Sequence, residues 1–491
     1  RAFPRADWWN DFSRSLRRDP RWTQVSLPSP HGPSRGPRRP HPAVGTDRGE
    51  PARHDGAVTL PPVPLVRLEV PDYDLGLRGK AVRPEKAAAG KRIAFCTIVY
   101  GMSVVDEVVD TPLGSVANGY PDAFAVPDEA TRVALPWKRS TEAVIADMVH
   151  DDGRPVAESP RSLVKKLLAQ YEPLDLEPVL GYEYEVYLTP MPDAVRRDLS
   201  IAQTISGYGL SRLDEAMPIV EAFLARMAAI GAPVEAFHTE IGPGFFEFAL
   251  APADALTATD NAARARQYFR ELCAEHGIRA TFMAKVYAGH SGSGGHVHQS
   301  LRRGGANVFG DGSGGLSEHG SAYLGGLLAT MGDLAAMLNP FVNSYKRVDP
   351  DLFVATRSTW GLDTRSAACR AILNVGEAGA RVEHRRPGAD VSPYLVTAAV
   401  LAGGLHGLRN GIDPGPPLLP GDDLATTGGP VPSNLREAIE RFEASSLAVD
   451  LLGEEFVTTF ALTRRGELAA YEKWWADSVT EWELARYPDH L

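Results

Sequence analysis

The run Gly292-Ser293-Gly294-Gly295-His296-Val297-His298-Gln299-Ser300 joins a pliant glycine segment to a His-x-His pair. Side chains of an extended chain alternate between faces, so His296, His298 and Ser300 share one. Two imidazoles on one face beside a mobile backbone suit a metal ion and a phosphate. Three further segments carry carboxylates able to join them. Glu183 and Glu185 stand two apart in Gly181-Tyr182-Glu183-Tyr184-Glu185-Val186-Tyr187. On a strand both face one way, and two like charges there need a cation or open water. Glu240 and Glu247 flank Gly242-Pro243-Gly244, a turn that lets the chain double back. The two acids either converge on a site or stand in solvent. Arg381-Val382-Glu383-His384-Arg385 sets an acid between two guanidiniums. That is a surface ion-pair ladder, or a metal ligand with two clamps for phosphate or carboxylate. Arg347, Arg365 and Arg370 add cationic density in an acidic chain, which implies an anionic ligand. Oxygen-rich donors with one or two histidines suit Mg²⁺ or Mn²⁺ over zinc. Arginines beside such ions are what phosphoryl transfer uses, to neutralise charge on the equatorial oxygens. The chain has no Gly-x-x-x-x-Gly-Lys-Ser/Thr loop and no Gly-x-Ser-x-Gly elbow.

These residues need strands and turns to hold them. Gly181–Leu188, Phe245–Ala249, Arg279–Lys285, His296–Leu301 and Arg381–His384 read as strands, and Leu213–Ile230, Ala255–His276 and Ser321–Asn339 as helices. Leu435 to Tyr487 reads as nearly all helical. Ahead of this α+β body, Val66–Val70, Arg92–Met102 and Thr131–Leu135 form a small strand-rich region over 60–151. A helix opens at Pro160 and runs to Tyr171. The body occupies 152–491. Residues 1–59 hold eleven Arg, no Lys and many Pro, and are expected to be a disordered basic extension.

A net charge of −11 argues against a nucleic-acid binder. Three scattered cysteines form neither a disulfide framework nor a metal site and fit a reducing cytoplasm. The longest apolar run, Tyr394 to Leu405, is short and Ala/Gly-rich, so a buried helix is expected there and no membrane span.

The motifs taken together resemble the glutamine synthetase family, in family order, over about Val66 to Tyr487. They are Asp72 to Arg78-Gly79-Lys80, Gly181-x-Glu-x-Glu, His238-Thr-Glu240 to Glu247, Gly292 to Ser300, Asn343-Ser-Tyr-Lys-Arg347, Arg381-Val-Glu383, and Arg386-Pro-Gly-Ala-Asp390 before Pro393-Tyr394-Leu395. The resemblance implies an N-terminal β-grasp domain and a C-terminal catalytic domain whose sheet forms half a barrel. It implies stacked hexameric rings with active sites between subunits, a neighbour supplying Asp72. Glu185, Glu240 and Glu247 would hold one divalent ion. Glu183, His296 and Glu383 would hold a second, both Mg²⁺ or Mn²⁺. Arg365, Arg370 and Arg381 would stabilise the phosphoryl group leaving ATP. Arg347 and Arg385 would grip L-glutamate beside Ser291 and Gly292, and His298 and Ser300 would line the nucleotide side. The reaction would phosphorylate the γ-carboxylate of glutamate, and an amine would then displace phosphate, with water excluded.

Three positions depart from the pattern. Phe353 stands where a flap glutamate binds and deprotonates ammonium, Ser291 replaces an Asn, and Ser392 replaces another. An aromatic ring cannot take a proton but packs against an alkyl chain or a cation. The departures resemble the branch that γ-glutamylates organic amines, polyamines or ethanolamine, with Tyr208 beside the amine. The alternatives are an ammonia-using glutamine synthetase and a non-catalytic ring scaffold.

Overall fold

The computed structural model describes residues 62–74, 76–191 and 203–488, all within a unit that begins at Pro61. The expected basic extension, 1–59, lies outside the described residues.

Two sheets carry the architecture. The first is built from β1 (Leu65–Pro71), β2 (Leu77–Val82), β3 (Ile93–Cys96), β4 (Asp122–Pro127), β5 (Val133–Ala134) and β6 (Thr141–Val149). Its order is β2-β1-β6-β4-β3, with β1 parallel to β6 and β5 paired to β6. The second comprises β7 (Glu177–Pro190), β8 (Val234–Thr239), β9 (Phe245–Leu250), β10 (Ala253–Asp254), β11 (Ile278–Thr281), β12 (Gly295–Arg303) and β13 (Ala306–Asn307). A two-residue strand, β14 (Arg357–Ser358), lies apart from it; β15 (Trp360–Leu362), β16 (Cys369–Ile372) and β17 (Arg381–His384) complete it. Its order is β15-β16-β17-β12-β7-β9-β8.

β7 is the keystone because its sequence alternates. Tyr182, Tyr184 and Val186 are buried on one face, leaving Glu183 and Glu185 on the other. Beneath the sheet, Tyr184, Phe248, Phe223 and Phe269 make tilted and edge-on ring contacts between 4.7 and 5.9 Å. Helix Ala255–Glu275, capped by the Asp254 carboxylate on the Thr257 N–H, covers that face. Helix Pro393–Asn410 is the buried helix expected from the Ala/Gly-rich run. It presses so closely on helix Glu318–Thr330 that a Cβ on Gly407 would stand 1.9 Å from the Ala322 carbonyl oxygen. No helix of the described residues is long and apolar enough to cross a membrane, and all three cysteines are free.

Several expected elements are shorter than their patterns. Arg92–Met102 is strand only over Ile93–Cys96, because Thr97–Gly101 coils into a 3₁₀ turn with the Thr97 hydroxyl donating to the Pro121 carbonyl at 2.8 Å. Thr131–Leu135 keeps two strand residues, and Arg279–Lys285 stops at Thr281. Ser321–Asn339 breaks after Thr330 and resumes as Ala335–Leu338. Apolar composition continued past each point where backbone pairing ended.

Buried ion pairs tie the first sheet to the body. Arg161, on helix Pro160–Leu168, donates to Asp260 at 2.8 and 3.1 Å and to Asp128 at 3.0 Å, and also pairs with Asp147. The Tyr394 hydroxyl donates to the same Asp260 at 2.7 Å. Glu69 of β1 accepts from Arg264 and from the Tyr268 hydroxyl, each at 2.8 Å. Removing one partner of such a group strands buried charge. Arg161→Ala is expected to cost about 3–5 kcal/mol, read as a lowered Tm by calorimetry; an unchanged Tm would show that the cluster is solvated and inert.

Candidate active site

Strand register assembles the site. Directly opposed residues of an antiparallel pair project to the same face. His238 of β8 opposes Glu247 of β9, and Glu247 opposes Glu185 of β7. Glu183 opposes His296 of β12; His298 opposes Glu383 of β17, which opposes Arg370 of β16. One face of six adjacent strands therefore carries every expected carboxylate ligand except Glu240. That residue follows β8 directly and keeps the hairpin pairing, its N–H donating to the Phe245 carbonyl at 2.8 Å.

Two groups form on this face. In one, His238 Nε2 lies 3.1 Å from Glu240 Oε1 and 3.5 Å from Glu247 Oε1. Glu185 stands beside them, its Oε2 accepting the Gly294 N–H at 2.6 Å. A Cβ at Gly294 would come within 2.4 Å of His296 Nε2, so only glycine delivers that N–H here. In the other, His298 Nε2 lies 2.8 Å from Glu183 Oε1, and His296 Nδ1 lies 3.7 Å from Glu183 and 3.5 Å from Glu383. Donor atoms of Glu183, His298 and Glu383 lie within 4.8 Å of one another, as do those of His238, Glu240 and Glu247. His298, expected on the nucleotide side, thus belongs to the acid group as closely as His296 does. His238, absent from the expected ligands, joins them here; its two-residue spacing from Glu240 carries the same face-sharing signal as Glu183 and Glu185.

Arginines wall the second group. Arg370 donates to Glu383 at 3.1 Å, and Arg385 pairs with the same carboxylate. Arg381 Nε donates to His298 Nδ1 at 3.1 Å, which places the proton of a neutral His298 ring on Nε2, toward Glu183. Arg365 is exposed and carries its charge toward Tyr208 and Asp363. Ser300 lies on the His298 face two residues on, opposite Val179. Ser291 takes part through its backbone, its carbonyl accepting the Tyr187 hydroxyl at 2.7 Å. Gly292 closes against Ala284 and Arg347, with no room for a side chain.

Three further expected residues take these positions in the chain. Asp72 is 1% exposed in the single chain, its carboxylate is held by Arg78 at 2.8 Å, and its charged neighbours are Asp74 and Arg78. Burial pushes its pKa up to about 6. Arg347 is 2% exposed and spends its guanidinium on the Arg386 and Arg385 carbonyls and on His296 Nε2 at 3.3 Å, so it orients a histidine from behind. Phe353 sits on a surface turn, 54% exposed and left-handed at φ +60°, a strained conformation for an aromatic residue. A cavity of about 770 Å³ lined by Arg266, Phe282 and Phe341 contains none of the site's acids or histidines.

The electrostatics differ between the groups. Burial alone would raise Glu183, but His296 and His298 outweigh it and hold the carboxylate far below its usual range. Glu383 is also held low against its burial, chiefly by Arg385 and then by the two histidines. Glu247 goes the other way: burial, then Glu185, Glu183 and Glu240, push it well up. An acid crowded in this way takes a proton or a cation. The hard oxygens of Glu185, Glu240 and Glu247, with imidazole alongside, fit a divalent ion of the Mg²⁺ or Mn²⁺ class.

The catalytic-domain model of glutamine synthetase matches residues 157–487. The chain belongs to the glutamine synthetase family. It is 36% identical over 443 residues to a glutamate–isopropylamine ligase of a Pseudomonas species, covering 87% of this chain and 95% of that one. It is 33% identical to a γ-glutamylethanolamide synthetase of Streptomyces coelicolor, covering 76% and 80%. A solved structure of GmaS without ligand superposes with a TM-score of 0.74 at 30% identity, covering 87% of this chain and 97% of that one. The second sheet is thus the half-barrel sheet of this family's catalytic domain.

Because the folded protein holds a proton on Glu247 that the unfolded chain releases, the stability this gives is present at low pH and lost as pH rises toward the raised pKa. A cation supplies what the proton no longer does. Adding Mg²⁺ or Mn²⁺ is expected to raise Tm, and by more at about pH 8 than at about pH 6. Glu247→Gln should abolish that pH-dependent increment. An equal metal effect at both pH values in the wild type would refute the reading of Glu247.

Proposed function

We propose that this protein is an ATP-dependent ligase joining the γ-carboxylate of L-glutamate to an organic amine through γ-glutamyl phosphate. The observation that carries the reading is the shared sheet face on which Glu183, Glu185, Glu247, Glu383, His296 and His298 meet beside Arg370, Arg381 and Arg385, with Glu240 following directly from β8. Glu185, Glu240 and Glu247 would hold one divalent ion; Glu183, His296 and Glu383 would hold the other. When bound, such ions neutralise phosphate oxygens and orient the nucleotide. The chain's own side chains do the rest. Arg370, Arg381 and Arg365 meet the charge that spreads over the transferring phosphoryl group. Arg385 takes a substrate carboxylate while Arg347 keeps His296 turned to the acids. Ser291 and Gly292 shape the glutamate side, and His298 and Ser300 the nucleotide side. A γ-carboxylate oxygen attacks the terminal phosphorus of ATP and ADP leaves. The amine nitrogen then attacks the activated carbonyl carbon, inorganic phosphate leaves, and the nitrogen's proton passes to a base.

An organic amine is favoured over ammonia because Phe353 occupies the position of the ammonium-binding glutamate, and relatives named for isopropylamine and ethanolamine support it. A non-catalytic scaffold fits poorly with a complete, electrostatically frustrated donor set. The first sheet would be a β-grasp domain over 60–151 and the catalytic domain would span 152–491. The active form would be a homo-oligomer of stacked hexameric rings in the cytoplasm.

Glu383→Gln is expected to abolish glutamate-dependent phosphate release while leaving the native mass intact; retained activity would refute the site. Phe353→Glu should shift the amine-to-ammonia ratio of kcat/KM toward ammonia, and an unmoved ratio would separate the flap from amine choice.

A further inference from the structure

The acid group opens onto an apolar collar that the reading above does not use. Tyr208 and Leu210 are 68% and 79% exposed, and Ile205 and Ile241 are also largely exposed. Such a concentration of exposed apolar side chains on one rim marks a ligand or partner contact. The collar is built into place. Thr239, buried between His238 and Glu240, accepts the Tyr208 N–H on its carbonyl at 2.9 Å and the Gly209 N–H on its hydroxyl at 2.9 Å. The same hydroxyl donates to the Ser206 carbonyl at 2.7 Å. One residue therefore ties the 206–209 turn to the strand end that carries Glu240. The Tyr208 ring stacks flat on His238, centroids 4.8 Å apart at 7°. Its hydroxyl feels Glu240 and Glu247 most strongly among the nearby charges. Ile241 adjoins from the other side: a Cβ on Gly207 would stand 2.9 Å from its Cγ1.

Acids thus adjoin apolar side chains: Tyr208 stacks on His238 beside Glu240 and Glu247, Ile241 follows Glu240 directly, and Ile205 and Leu210 flank the Tyr208 turn in the chain. On the adjoining helix turn Glu215 pairs with Arg212, while Asp214 beside it is exposed. Building on the organic-amine ligase reading, we propose that the amine is a small alkyl monoamine. Its nitrogen points to the acidic sheet face and its alkyl group lies in the Tyr208–Ile241 collar. A diamine would set its second ammonium over this rim, forgoing the apolar contact that an alkyl group makes there. A hydroxyalkyl amine would gain less from the collar than an alkyl one. One methylene in an apolar pocket is worth about tenfold in kcat/KM or more, which sets the scale of the preference.

The test is an amine panel on the full chain with Mg²⁺, glutamate and ATP, reading phosphate release and product mass. Isopropylamine should exceed putrescine and ethanolamine by about tenfold or more in kcat/KM, the difference lying mainly in KM. Ile241→Asp and Leu210→Asp should raise the putrescine-to-isopropylamine ratio, and Tyr208→Phe, which keeps the stack on His238, should not. Stabilisation by Mg²⁺ and ATP in a thermal melt certifies that each variant is folded. Putrescine or ethanolamine preferred by the wild type, or ratios unmoved in folded Asp variants, would overturn the collar assignment and leave the ligase reading intact. Ammonium accepted with every organic amine refused would overturn the organic-amine reading and the collar assignment together.

Discussion

Like charge held on one face of a sheet is the constraint around which the molecule is organised. Glu183, Glu185, Glu240, Glu247 and Glu383 cannot all be ionised, partly buried and uncompensated. The protein answers in two ways. Around Glu183 and Glu383 it supplies its own cations and donors: Arg370, Arg385, His296 and His298. Around Glu247 it supplies little, and that carboxyl is pushed upward. The Glu183–Glu383 group is set to receive an anion; the Glu247 group lacks positive charge. An ion and a phosphate fit such a division together, and neither group makes sense without the other.

The opposite face of the same sheet pays no such penalty. Tyr182, Tyr184, Val186, Phe246 and Phe248 alternate with the acids and are buried against helix Ala255–Glu275 and helix Pro393–Asn410. A one-residue slip in any strand would turn aromatic rings to the acidic side and carboxylates to the core. The apolar underside therefore sets the register, and the register brings distant acids together. The buried ion pairs of Arg161, Glu69 and Arg264 do comparable work between the two sheets. They fix the first sheet against the body with directional bonds where an apolar contact alone would allow sliding.

Local pattern made much of the site legible. Two-residue spacing placed Glu183 with Glu185, His296 with His298, and Arg381 with Glu383 and Arg385, since strand alternation needs no tertiary information. The same rule puts His238 on the face of Glu240, two residues on. The strands β8 and β16 were harder to see: one carries a bulge between Val234 and Ala236, and the other has only four residues. Short strands owe their existence to neighbours, so their own sequence says little.

By itself the sequence determined the family, the identity of the donor residues and the local faces on which they stand, because these follow from residue type and a spacing of two. Only the tertiary structure decided which acids share a field, that Asp72 is locked to Arg78, that Arg347 faces inward behind His296, and that an apolar collar borders Glu240. Those outcomes depend on cross-strand register and on burial, which arise from contacts between residues far apart in the chain and leave no periodic trace within any one segment.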